Sequence, residues 1–163
     1  MPRRALALAL SLTALVLIGA AGCGGDKAPF RIGVLTDCQG PLRGFEDVEL
    51  SGAELPLLRH GARLTLRGAP KGGVTPGVVA GRKVELVRGC SELGEHAVFI
   101  EEARRLVEHE HVDAIVGGTS VVERDVAHLY PDVPFLATTW EEQETTLRQP
   151  AANLYRFSPD NGQ

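Results

Sequence analysis

Val112-Asp113-Ala114-Ile115-Val116-Gly117-Gly118-Thr119-Ser120 is the stretch on which the fold turns. An apolar, β-branched run stops at two glycines and hydroxyls follow, the pattern of a buried parallel strand ending in a tight turn. Gly117 and Gly118 leave the backbone bare at that turn. Residues 121–129 then have helical spacing, and Ser120 with Glu123 forms a capping box for them. The first N–H groups of such a helix lack partners within it and face whatever lies above the sheet. Alone, the stretch fits any βα unit; the flanking chain narrows it.

Working outward, residues 30–36 read as a first strand, followed by a turn-rich loop at 37–42. Glu46–Arg59 carries apolar residues at Val48, Leu50, Ala53, Leu57 and Leu58, a helical face in which Pro56 should kink the helix or end it early. Residues 61–81 hold six glycines and two prolines and read as a long surface loop. Alternation at 63–66 within it suggests a hairpin arm or a short edge strand. Residues 82–88 alternate as a strand at a sheet edge would. Ser91 can cap a helix over 93–109, with Glu101 and Arg105 pairing on its wet side. Residues 133–137 and 153–157 are the last two strands, and Thr139 with Glu142 forms a second capping box. This alternation predicts an α/β doubly wound parallel sheet with helices on both faces.

The amino terminus combines Arg3 and Arg4, an apolar run over 5–18 and small residues before Cys23, the pattern of a secretory leader. Its apolar run is short for a membrane span. Ala20-Ala21-Gly22-Cys23 resembles the bacterial lipobox, with Ala20 where Leu is commoner. The resemblance implies that residues 1–22 are removed and Cys23 is lipidated; the alternative is a plain leader cut nearby. Residues 23–29 then form a tether. The 141 residues left after cleavage suffice for one domain with a real core. Losing both leader arginines takes Lys+Arg from 17 to 15 against 21 Asp+Glu, a net charge of −6. With no basic stripe, nucleic acid is not an expected partner. Cys38 and Cys90 remain, and outside the cytoplasm an even pair invites a disulfide, two free buried thiols being the alternative.

Four pieces in order carry a family resemblance: Ile32-Gly33-Val34-Leu35-Thr36-Asp37 with Gly40-Pro41, Gly81-Arg82-Lys83-Val84-Glu85-Leu86, Val112-Asp113-Ala114-Ile115-Val116-Gly117, and Val133-Pro134-Phe135-Leu136. Together they resemble the branched-chain amino-acid (Leu/Ile/Val-binding) family of ABC-transporter substrate-binding proteins, the type I periplasmic binding fold. The resemblance covers the first of that family's two lobes. It implies that residues 30–163 are an N-terminal lobe whose second lobe is missing, with the flavodoxin-like strand order 2-1-3-4-5. Ligands of such sheets sit beyond the strands' carboxyl ends where the order reverses, here between strands one and three.

The resemblance also implies the contacts. Thr119 and Ser120 match the hydroxyls after strand three, which can hold a ligand carboxylate. Ala137, Thr138 and Thr139 match the loop after strand four, and Gln39, Gly40, Pro41 and Phe45 the pocket wall after strand one. Trp140 could stack on a ligand or cover its helix; Glu141 and Glu142 suit the helix dipole. Strands one and two become neighbours, which brings Cys38 and Cys90 together. The implied partners are a small-molecule ligand, an ABC permease, and the membrane through the lipid on Cys23. The expected function is that of an extracytoplasmic, lipid-anchored bacterial solute-binding protein for a small polar molecule such as an amino acid or amide. A sensory or receptor module of the same fold is the alternative.

An enzyme would need a nucleophile with its base, or a metal cluster. Cys38 has no His placed near it by motif, and His109 and His111 diverge at a helix end. Residues 117–120 lack the Lys of a phosphate loop, and no dinucleotide fingerprint is present. No catalytic residue, metal or cofactor is expected.

Overall fold

A computed structural model describes residues 27–93, 95–118, 122–138 and 151–157. The expectations for Cys23, Thr119, Ser120, Thr139, Trp140, Glu141 and Glu142 lie outside these residues, as do both capping boxes.

One sheet runs in the order β2-β3-β1-β4-β5-β6. Its strands are β1 (Phe30–Asp37), β2 (Gly77–Val79), β3 (Arg82–Ser91), β4 (Ala114–Gly117), β5 (Phe135–Ala137) and β6 (Leu154–Arg156). All are parallel to their neighbours except β2, which runs antiparallel to β3. The five parallel strands thus take the expected doubly wound order, with β1 between β3 and β4.

β2 was not anticipated, and it corrects the placing of β3 at the edge. It comes from the glycine-rich stretch, which is more built than a plain loop. Leu64 bridges Val74 in antiparallel fashion. The Thr65 N–H donates to the Gly73 carbonyl at 3.0 Å, and a short 3-10 turn, Pro70–Gly72, closes the hairpin. Lys71 then reaches Glu46 at 2.9 Å.

Helix α1 (Glu46–Arg59) follows a 3-10 turn over Gly40–Phe45. It continues past Pro56, which stands in the last turn, so the expected early end does not occur. Its inward residues are Glu46, Leu50, Glu54 and Leu57. Val48, expected inside, is 67% exposed. The buried face carries two carboxylates instead, Glu46 and Glu54, of which Glu46 is ion-paired to both Lys71 and Arg88.

Helix α2 (His96–Arg104) passes into a π turn, Arg105–His109. Ser91 does not cap it. That residue ends β3, and its hydroxyl donates to the Thr36 carbonyl at 3.0 Å. Arg105 pairs with Glu102 at 2.7 Å and Glu110 at 2.9 Å, while Glu101 pairs with Arg104. The expected Glu101–Arg105 pair is therefore replaced by tighter i,i+3 partners. Helix α3 (Val122–Leu129) precedes β5.

The main core joins α2 and α3 to one sheet face through Leu35, Phe99, Leu106, Ile115, Val126 and Phe135. A smaller cluster joins α1 to the other face over Leu57, Ala62 and Val84. At the sheet's amino end, Arg31 and Asp113 exchange two bonds. The Arg31 N–H donates to Asp113 Oδ2 and the Asp113 N–H to the Arg31 carbonyl, each at 2.7 Å.

Candidate functional site

Chain order reverses between β1 and β4, so their carboxyl ends bound a crevice. Leu35 lies opposite Gly117, and the Gly118 N–H donates to the Leu35 carbonyl at 3.1 Å. Gly117 has φ +111° and Gly118 φ +94°. A Cβ built at Gly117 would collide with the Leu35 carbonyl oxygen. Both the conformation and the close approach therefore require glycine at 117, and the floor of the crevice is bare backbone.

From this floor a slot of about 400 Å³ runs beside α1. Val34, Leu35, Val116 and Gly117 form its sheet side, Val48, Glu49, Gly52 and Ala53 its helix side, and Thr138 its mouth. The walls are apolar apart from Glu49 and Thr138. Glu49 Oε2 accepts the Asp37 N–H at 3.3 Å. Burial, then the neighbouring Asp37 charge, with a smaller push from Glu46, raises the Glu49 carboxyl to about 7 despite that hydrogen bond. Asp37 itself is fully buried, its Oδ1 accepting the Ser91 hydroxyl at 3.2 Å.

The loops beside the crevice are fastened to each other. Cys38 and Cys90 are joined by a disulfide, with their Cα atoms 5.3 Å apart. The Cys38 N–H donates to the Ser91 carbonyl at 3.2 Å. Gly40 (φ +64°) lies so close to the Glu92 side chain that a Cβ would strike it.

Of the residues singled out from the sequence, Thr138 lines the slot. Ala137 does not face it: its side chain is fully buried in the α2–α3 core, and its carbonyl accepts the Phe157 N–H at 3.3 Å. Gln39 and Phe45 are exposed and are not among the lining residues. Gln39 Nε2 instead approaches Cys90 Sγ at 3.6 Å. Glu49 and Gly52 escaped notice in the sequence. A charged residue beside the apolar positions of α1, and a glycine in mid-helix, were the available signals. Among the described residues, no group of three or more His, Cys, Asp or Glu is set to hold a metal, and no helix is long and apolar enough to cross a membrane.

No family model and no curated protein matches the chain. Solved structures do. An ABC transporter substrate-binding protein from Sphaerobacter thermophilus superposes with a TM-score of 0.65 at 28% identity, over 83% of this chain and 33% of its own. The branched-chain amino acid transporter substrate-binding protein LivJ from Streptococcus pneumoniae, in complex with isoleucine, gives 0.59 at 21% identity, over 78% of this chain and 33% of its own. The leucine-, isoleucine-, valine-, threonine- and alanine-binding protein from Brucella ovis gives 0.59 at 18% identity, over 82% and 33%. The chain has the α/β fold of these substrate-binding proteins and spans about a third of their length.

Proposed function

We propose that the chain is a solute-binding lobe serving an ABC importer outside the cytoplasm, anchored by a lipid on Cys23. Its ligand is a small polar molecule such as an amino acid or amide, passed on to a membrane permease. The observation that carries this reading is the crevice at the reversal of strand order, floored by bare backbone at Gly117 and with Thr138 at its mouth.

In this reading Thr119 and Ser120 hold the ligand carboxylate through hydroxyl and N–H groups at the start of α3. The loop residues Thr138 and Thr139 add polar contacts, and Trp140 closes one side. A second lobe completes the grip, because pockets of this kind bury most of the ligand. One lobe leaves the ligand half wet, where its hydrogen bonds compete with water. Half of a micromolar interaction is about 4 kcal/mol, which corresponds to millimolar binding.

Calorimetry of residues 24–163 against a panel of amino acids and amides tests this. Millimolar binding weakened by Ser120→Ala is expected. Micromolar binding by this lobe alone would overturn the two-lobed clamp. Detergent partitioning, lost in Cys23→Ser, is the expected sign of the anchor; a wild type that stays aqueous would remove it.

A further inference from the structure

Charge is not spread evenly along this chain. Residues 55–84 hold six Lys and Arg and neither Asp nor Glu, whereas the other 133 residues hold 11 Lys and Arg against 21 Asp and Glu. The six are Arg59, Arg63, Arg67, Lys71, Arg82 and Lys83. Lys71 is engaged by Glu46. Arg59, Arg63, Arg67 and Lys83 are exposed, and among the described residues none of them forms a salt bridge.

The fold gathers these cations along one edge of the sheet. The His60 carbonyl accepts the Val78 N–H at 3.1 Å, and Val78 lies opposite Lys83. The Arg63 N–H donates to Thr75 Oγ1 at 2.9 Å, and the Arg63 carbonyl accepts the Thr75 N–H at 2.8 Å. Residues 60–65 thus lie beside residues 73–78. Charges on an edge strand deter unwanted pairing. Here β2 itself, Gly77-Val78-Val79, has no charge, and the cations stand on the segments around it. Two apolar side chains stand among them: Leu66 is 60% exposed beside Arg67, and Val78 is 53% exposed opposite Lys83.

The amino-terminal chain leaves the fold at the same edge. Phe30, the first residue of β1, lies opposite Val84, next to Lys83. Arg82 Nε donates to the Ala28 carbonyl at 3.0 Å, and its guanidinium stands 5.1 Å from the Phe30 ring centroid. Cys23 comes five residues before Ala28, so at most about 18 Å of chain separates the two.

We infer that this basic edge is a membrane-resting surface, fitted to the anionic headgroups of a lipid bilayer. Arg59, Arg63, Arg67 and Lys83 meet the headgroup phosphates, and Leu66 and Val78 meet the apolar boundary beneath them. Salt screens charges beyond about 8 Å, so the local cluster decides the contact although the chain as a whole is negative. A lipid attachment holds a protein more firmly when a basic patch beside it adds a second signal. The crevice between β1 and β4 lies beyond β1 from this edge, so an edge-down pose leaves it open to solute. The choice of partner rests on the proposed lipid at Cys23, and the test reads the two apart.

Flotation comes first, with residues 24–163, which lack the lipid site and contain both cores. The vesicles are phosphatidylcholine with about 30% phosphatidylglycerol. Binding is expected to these and not to pure phosphatidylcholine, and it should vanish as NaCl rises from about 0.05 to about 0.5 M. Arg63→Gln with Arg67→Gln should weaken it about tenfold. Arg104→Gln with Arg124→Gln removes the same charge on α2 and α3 and should change it by less than about twofold. Arg59→Gln with Lys83→Gln repeats the loss should the first pair fail to fold. Equal losses from the edge and control pairs, or no preference for anionic vesicles, would overturn the inference. Tighter binding, charge for charge, to a soluble poly-Glu peptide would assign the edge to an acidic protein and overturn the lipid partner.

The full lipidated chain supplies a second readout. On anionic vesicles, the amides of residues 63–67 should exchange with deuterium about fivefold more slowly than on neutral ones. Equal exchange would count against the edge contact. A full chain that fails to join neutral vesicles would remove the anchor at Cys23 and leave the flotation result standing.

Discussion

A single methyl at position 117 would meet the Leu35 carbonyl oxygen in a backbone conformation that already disfavours a side chain. Gly117→Ala is expected to cost about 2–3 kcal/mol, measured as a lower urea midpoint at unchanged slope. Glu49 acts at the same scale through its proton. Its folded pKa, about 7, lies above the ordinary glutamate value of 4.5. The native state therefore holds this proton more tightly, and the group's contribution to stability falls as pH rises from 4.5 through 7. The loss is at most on the order of 3 kcal/mol. Glu49→Gln should therefore match the wild type at pH near 4 and exceed it by about 1–3 kcal/mol at pH near 8, read by urea unfolding at both values. A variant that loses stability at the higher pH would show that Glu49 is anchored as an anion. The sequence made Gly117 legible because an apolar run ended on it. It hid Glu49, whose neighbours Asp37 and Glu46 become a buried acidic set only once β1 and α1 are packed.

Among the elements, β1 and β4 were readable, since strand period and turn glycines are local signals, whereas the order of the parallel strands was implied by the family resemblance. β2 was not: three residues, Gly77–Val79, take strand form only because β3 offers an edge to pair with. Nor was the inward face of α1, where Glu46 is buried only because Lys71 and Arg88 arrive from a distant hairpin and strand. The α2 start was misread at Ser91 because β3 runs longer than its alternating core. The link between β1 and β3 supports a prediction of its own. Cys38 and Cys90 enclose a separation of 52 residues. In the chain-entropy model such a closure contributes about 4 kcal/mol. Cys38→Ser with Cys90→Ser should lower the unfolding free energy by about 2–4 kcal/mol. Thiol labelling of unreduced, denatured wild type should find neither cysteine reactive; two reactive thiols would sink the assignment.

Across the whole molecule the two halves of the sheet are held very differently. β1 and β3 share eight aligned residue pairs and a disulfide, whereas β5 and β6 share three aligned pairs. β6 carries Tyr155 and, just beyond it, Phe157 at 71% exposure. That imbalance orders the molecule's breathing. Amides of β1 and β3 should exchange with deuterium only through the largest openings, while those of β5 and β6 should exchange through local fraying, faster by about two orders of magnitude or more. Uniform exchange across the sheet would contradict this gradient. The lobe is thus hinged to fail from one side. Among the described residues β6 is the last strand of the sheet, and a strand edge that opens first is also the part most ready to pair with another chain. Refolding at high concentration would therefore favour whatever shields β6 early, and the order in which the sheet's strands form becomes a determinant of the yield.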